Sequence, residues 1–275
     1  MIDTHTHYYL KPFNGDRFQL LQQLRENHID RVIEAAIDME SNFTMRKYFA
    51  DEDMVYYGTG LHPLRVAYAH RIYGIQTCRA LLSELILTPK TVAVGETGLD
   101  YHRNVSCDDD KELQKAYFRM QLDLALEYDM PLILHIRDCH EDALEILESY
   151  GTTFKGVAHC FIGGADIAKR YTDLGFYLGI GGSCTYSQNI GRFDDFIRDL
   201  PLLPLDRIVL ETDAPYLLPS GCKGKRNSSL NLNTVAAKLS ESMNLPIEVI
   251  ENVTDANAMK CFFSQENIDN SLSEG

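Results

Sequence analysis

Ile2-Asp3-Thr4-His5-Thr6-His7 starts on an apolar residue, passes through an aspartate and ends on two histidines two positions apart. On a β-strand, residues i and i+2 point to the same side. Read as a strand, the segment presents the imidazoles of His5 and His7 to one point, which suits a divalent metal. A His-x-His pair alone is a weak signal. Its weight comes from what stands at the ends of the later apolar runs.

Outward from this stretch one pattern recurs: a short apolar run, then a polar residue, then a helical segment. Strands are expected at 31–37, 55–60, 91–95, 131–134, 156–158, 175–180 and 207–210. Helical spacing or capping marks 17–27, a segment capped by Ser41 and running to Phe49, 69–87, 110–128, 139–150, a helix from Ala165, 193–200, 235–243 and 246–263. Strands alternating with helices imply parallel pairing through right-handed crossovers. Eight such units match the size of a (β/α)8 TIM barrel. The alternative is a doubly wound open sheet. A Gly-x-Gly-x-x-Gly after the first strand would favour it, and that motif is missing. With no linker, repeat or low-complexity segment, the expectation is one hydrolase-type barrel domain, 1–265, and a polar tail, 266–275.

The chain of 275 residues is 45% hydrophobic and 24% charged, an ordinary globular composition. A formal net charge of -14 without any basic run argues against a broad grip on duplex nucleic acid. It leaves room for a small phosphate-bearing substrate held by cations, because bound ions dominate the local field. Seven scattered cysteines, never spaced Cys-x-x-Cys, read as reduced and mostly buried rather than as a thiolate metal site. Without a basic-then-apolar leader or a long apolar span, the expected location is the cytoplasm and no membrane is involved.

The polar residues at the strand ends are His5, His7, His62, Glu96, His135, His159 and Asp213. Five of the nine histidines fall there, and in a barrel these ends converge on one mouth. Ligand chemistry then suggests roles. His5 and His7 can hold one ion and His135 and His159 a second. Glu96 has two oxygens and can bridge both. Asp213 can complete the set and accept a proton from water. A pair of cations about 3.5–4 Å apart activates water and holds the entering and leaving oxygens of a displacement. Nitrogen and oxygen donors without thiolate suit Mg²⁺, Mn²⁺ or Zn²⁺.

Six motifs carry a resemblance: Asp3-Thr4-His5-Thr6-His7, Gly60-Leu61-His62-Pro63, Gly95-Glu96-Thr97-Gly98-Leu99-Asp100, Pro131 through Arg137 (PLILHIR), His159-Cys160-Phe161, and Leu210 through Tyr216 (LETDAPY). In this order, over about 2–263, they resemble the TatD family of metal-dependent hydrolases in the amidohydrolase superfamily. The resemblance implies a (β/α)8 barrel, two divalent metal ions and deoxyribonuclease activity. It implies that His5, His7, Glu96, His135, His159 and Asp213 are the ligands, the set already reached from the strand ends. Some relatives with this fold are described as deacylases of mischarged tRNA. The family commonly carries Asn-Glu-Pro after the arginine matched by Arg226; here Asn227-Ser228-Ser229-Leu230 follows. A lysine common near Thr185-Tyr186-Ser187 is absent.

Other positions point to substrate. Arg137, two after His135, can make a bidentate phosphate contact. Arg226 or Lys225 can grip phosphate. His62 can orient substrate or a leaving oxygen, Glu211 can steer a ligand, and Tyr101 and His102 can stack on a base. The leading expectation is a two-metal phosphodiesterase on single-stranded or frayed DNA ends, with Asp213 and Glu96 catalytic and no obligate protein partner. The second is a hydrolase of small amides, esters or lactones, or a D-aminoacyl-tRNA deacylase. A binding protein that has lost catalysis would lack ligands, and none is missing.

Overall fold

The computed structural model describes residues 1–102, 108–186, 191 and 193–264. Its strands are β1 (Ile2–Thr6), β2 (Arg31–Ala35), β3 (Val55–Thr59), β4 (Thr91–Asp100), β5 (Leu132–Arg137), β6 (Gly156–His159), β7 (Tyr177–Ile180) and β8 (Ile208–Leu210). They form one sheet in chain order, and each neighbouring pair is parallel. The helices are α1 (Arg17–Glu26), α2 (Met39–Phe49), α3 (Val66–Ile86), α4 (Asp108–Glu127), α5 (His140–Glu148), α6 (Ala165–Asp173), α7 (Asp194–Asp199), α8 (Leu232–Met243) and α9 (Ile247–Phe262). The fold is the expected (β/α)8 barrel.

The ring is drawn together where the last strand meets the first. Thr6 bridges Ala214 in parallel fashion, His7 N–H donates to Ala214 O at 2.8 Å, and Asp213 N–H donates to His5 O at 2.9 Å. Three residues expected to hold metal therefore also carry this junction through their backbones.

Two apolar layers fix the barrel. The larger lies between strands and helices, with Leu21, Leu24, Phe49, Leu82, Tyr117, Phe118, Leu147 and Tyr171 fully buried. The smaller fills the bottom of the barrel. Ile2, Ile33, Ala93, Ile133, Val157, Tyr177 and Val209 come one each from seven strands, and Ala258, Cys261, Phe262 and Phe263 at the end of α9 pack among them. This plug leaves only the opposite mouth for chemistry.

Three local readings shift. β4 runs on to Asp100 rather than stopping at Gly95, because Gly98, Leu99 and Asp100 keep pairing with β5. Glu96 therefore sits inside a strand. β5 extends to Arg137 in the same way. α2 is capped by Asp38, not Ser41. The Asp38 side chain accepts from Ser41 N–H, and Ser41 Oγ accepts from Asp38 N–H, a reciprocal box in which Ser41 is the third helical residue.

No helix among the described residues is long and apolar enough to cross a membrane. Cys78, Cys139, Cys184, Cys222 and Cys261 are free thiols. The expected polar tail lies outside the described residues.

Candidate metal centre

The His-x-His pair behaves as a strand should. His5 and His7 turn the same way, and their Nε2 atoms lie 3.1 Å apart. Glu96 Oε2 stands 3.6 Å from His5 Nε2 and 3.8 Å from His7 Nε2. Asp213 Oδ1 stands 3.8 Å and 3.3 Å from the same two nitrogens. Donors about 2.1 Å from a tetrahedral centre are about 3.4 Å from one another, so each carboxylate stands from the two imidazoles at the spacing of ligands around one ion.

The other oxygen of Glu96 faces a second group. Oε1 lies 2.6 Å from His135 Nδ1, 3.6 Å from His62 Nε2 and 3.9 Å from His159 Nε2. His5, His7 and Glu96 form one cluster of donor atoms close enough to share an ion; Glu96, His135 and His159 form another. One carboxylate thus divides its two oxygens between two ligand groups.

Three of the imidazoles, those of His7, His135 and His159, have a polar partner behind the ring. His7 Nδ1 lies 2.9 Å from Ala35 O. His135 Nε2 lies 3.0 Å from Asp100 Oδ2, and Asp100 N–H donates to Gln114 Oε1. His159 Nδ1 lies 3.0 Å from Glu211 Oε1, a charge contact without hydrogen-bond alignment, and that oxygen accepts from Cys160 N–H at 2.6 Å. Such partners orient a ligand ring and raise its basicity. Glu211, read from the sequence as able to steer a ligand, stands beside His159.

Charge in the cluster is set by burial against mutual attraction. Burial pushes the Glu96 carboxyl up, but His62, His5 and His135 outweigh it and hold it well below the usual carboxylate range. Asp213 is held low against burial by His7 and His159. Burial lowers His135 and His159, yet Asp100 and Glu96 bring the first to about 9, and Glu211 brings the second to about 10. Burial and the neighbouring His135 press His62 down to about 3. The carboxylates stay ionised, and the cluster favours positive charge. Donor type, spacing and charge fit divalent ions.

A cavity of about 560 Å³ opens over the cluster. His7, His62, Glu96, Asp100, His135, Arg137, His159, Asp213 and Tyr216 line it. The structure therefore brings together the six expected ligands, His62 and Arg137, whereas Arg226, Lys225, Tyr101 and His102 do not line this cavity. The Arg226 guanidinium salt-bridges Asp16, donates to Pro12 O and lies 4.4 Å above the Phe13 ring. Its neighbour Asn227 donates to Thr212 O and Leu217 O, so the Arg-Asn pair pins the loop after β8. Tyr101 donates to Asp142, and His102 lies 2.6 Å from Asp138 Oδ2.

Three supporting carboxylates were not singled out in the sequence. Asp100 steers His135. Asp3 accepts from Thr212 N–H, Thr212 Oγ and Ser229 Oγ, which fixes the chain just before Asp213. Glu34 accepts from Thr6 Oγ and from the N–H groups of Tyr8 and Tyr9, holding the backbone around His7. Asp3 and Asp100 stood inside quoted motifs, Asp3–His7 and Gly95–Asp100, whereas Glu34 carried no signal.

The family model described as TatD related DNase matches residues 2–263. The chain belongs to the TatD family. The metal-dependent hydrolase YabD of Bacillus subtilis is 31% identical over 263 residues, covering 95% of this chain and 98% of its own. The 3'-5' ssDNA/RNA exonuclease TatD of a Rahnella strain is 33% identical over 259 residues, covering 91% and 93%. Among solved structures, the TatD homologue YJJV of Escherichia coli superposes with a TM-score of 0.83 at 32% identity, covering 95% of this chain and 97% of that one. This TatD protein is a metal-dependent hydrolase.

Proposed function

We propose that this TatD protein hydrolyses phosphodiester bonds in single-stranded nucleic acid, DNA foremost, with two divalent ions held by His5, His7, Glu96, His135, His159 and Asp213. The observation that carries the reading is the divided carboxylate of Glu96, whose oxygens face separate ligand groups. A paired-cation site of this kind suits an in-line displacement at phosphorus. The 3'-5' ssDNA/RNA exonuclease named among the relatives supports the same substrate class.

Bound divalent ions supply Lewis acidity and an activated water. The chain does the rest. Asp213, held ionised, accepts the proton from the attacking water. Asp100 and Glu211 keep His135 and His159 in place. Arg137 lines the cavity and binds a phosphate oxygen as negative charge builds. His62, neutral at pH 7, orients the leaving oxygen.

Cleavage of a labelled single-stranded oligonucleotide with Mg²⁺ or Mn²⁺, with and without EDTA, tests this. Cleavage that chelator abolishes and added metal restores is expected. Undiminished cleavage in chelator, or none under any metal while lactones, amides or D-aminoacyl-tRNA are turned over, would overturn it.

A further inference from the structure

The segment after His62 presents an unusual surface. Leu64 and Arg65 line the cavity over the metal centre. The helix that follows exposes Tyr68, Arg71, Ile72 and Tyr73. Tyr68 is 58% exposed, a large fraction for an aromatic ring. Gly74, at φ 71°, then breaks the helical run. The exposed stretch is thus two turns long, about 12 Å, and begins at the rim.

Its charge sets it apart. The chain holds 40 acidic residues, yet there is none between Asp53 and Glu84, where Arg65, Arg71 and Arg79 stand. The Arg71 guanidinium lies 5.5 Å from the centre of the Tyr68 ring. Arg65 and Tyr216 line the same mouth. Beyond Gly74 the pattern ends, since Arg79 is paired with Glu127.

Exposed aromatic rings interleaved with arginines are the components of a single-strand binding groove. Bases stack on the rings whatever their sequence, and guanidiniums meet the phosphates. Stretches free of carboxylate avoid repelling a polyanion, which matters in a chain of net charge -14. Continuity with the cavity gives the strand a direction. We propose that the face formed by Leu64, Arg65, Tyr68 and Arg71 is a track for the part of a single-stranded nucleic acid that lies outside the metal centre. Tyr68 stacks on a base, and Arg65 and Arg71 hold phosphates. The inference rests on the nucleic-acid reading above and extends it from the scissile bond to the strand beyond.

The test compares two substrates, a dinucleotide and an oligonucleotide of about 12 residues, in wild type and in the double variant Tyr68→Ala/Arg71→Ala. Loss of one stacked base and one phosphate contact is expected to raise KM for the long strand about tenfold or more. Its kcat and the dinucleotide's kinetics stay unchanged. The slope of log KM against log salt falls by about 0.7 for the lost contact. Tyr68→Phe, which keeps the ring, retains wild-type KM. Unchanged KM and salt slope on the long strand, with cleavage intact, overturn the track and leave the proposed function standing. If wild type cleaves neither substrate, the proposed function fails and the track is decided separately. Binding of a fluorescent 12-residue strand to chelated protein is then compared between wild type and variant; weaker binding by the variant supports the track, and equal or absent binding overturns it. A face that serves self-association instead would show as a concentration-dependent dimer lost in the double variant, with oligonucleotide kinetics unaltered, and that too overturns it.

Discussion

Gly179 on β7 gives up its side-chain space to Glu211. A Cβ built at this glycine runs into Glu211 Oε2, while the other oxygen of the same carboxylate sits 3.0 Å from His159 Nδ1. The absence of one methyl group on one strand thus lets a buried carboxylate stand behind a candidate ligand on another.

Gly179→Ala is expected to displace Glu211 and unfix His159. Losing such a supporting group costs about 10- to 100-fold in metal affinity, and overpacking costs about 1–3 kcal/mol in stability. Isothermal titration with Mn²⁺ or Zn²⁺ and thermal melts check both. Gly15→Ala, which meets nothing within 4 Å, is the control and should fall within about 0.5 kcal/mol of wild type.

Glu96→Gln keeps the shape of the shared carboxylate and removes its charge. Native mass spectrometry should then find fewer than two ions per chain. Asp213→Asn should keep the fold and lower kcat about 10²–10⁴-fold, the usual scale for a lost general base. Two ions still bound in Glu96→Gln would refute the shared-ligand arrangement.

Arg226→Ala is expected to act on the loop after β8 rather than on phosphate. Its ion pair with Asp16 is partly exposed and its ring contact is local. The variant should lose about 1 kcal/mol of stability with little change in KM. A large rise in KM at unchanged melting temperature would assign Arg226 to substrate instead.

Arg226 holds the Asp16 carboxyl below its usual range, and Lys115 does the same to Asp142. Between the folded and the ordinary aspartate values, the unfolded chain binds more protons than the folded one. The stability these pairs add is therefore present above the ordinary value near 3.8 and is lost as pH falls through the lower folded values. Both are surface pairs, so each adds less than about 1 kcal/mol and is weakened by salt. Melts from pH 6 down to pH 3 should fall less steeply in Asp16→Asn than in wild type.

The candidate ligands were legible because they are rare residue types placed where apolar runs stop. His5, His7, His135, His159 and Asp213 all announce themselves this way. Glu96 was legible as chemistry but not as geometry, since a glycine-flanked acidic stretch looks like a loop until β5 pairs with it. The Asp38 cap was hidden because box partners are interchangeable in sequence and only backbone geometry says which one lies outside the helix. Arg226 matched a family pattern, but a guanidinium's partner depends on Asp16, far away in the chain, which local sequence does not reveal. Asp3 and Glu34 were overlooked for a related reason. They accept from backbone N–H groups and hydroxyls far away in the chain, pairings that local sequence does not display.

The junction between β8 and β1 is tied by the main chains of His5, His7 and Asp213, whose side chains also face one ion site. A cation seated there would act as a clasp across the one place where the cylinder is least continuous. Losing it would loosen the wall as well as stop the chemistry. Slowly exchanging amides at His7 and Asp213 would then become a gauge of metal content, readable without any substrate.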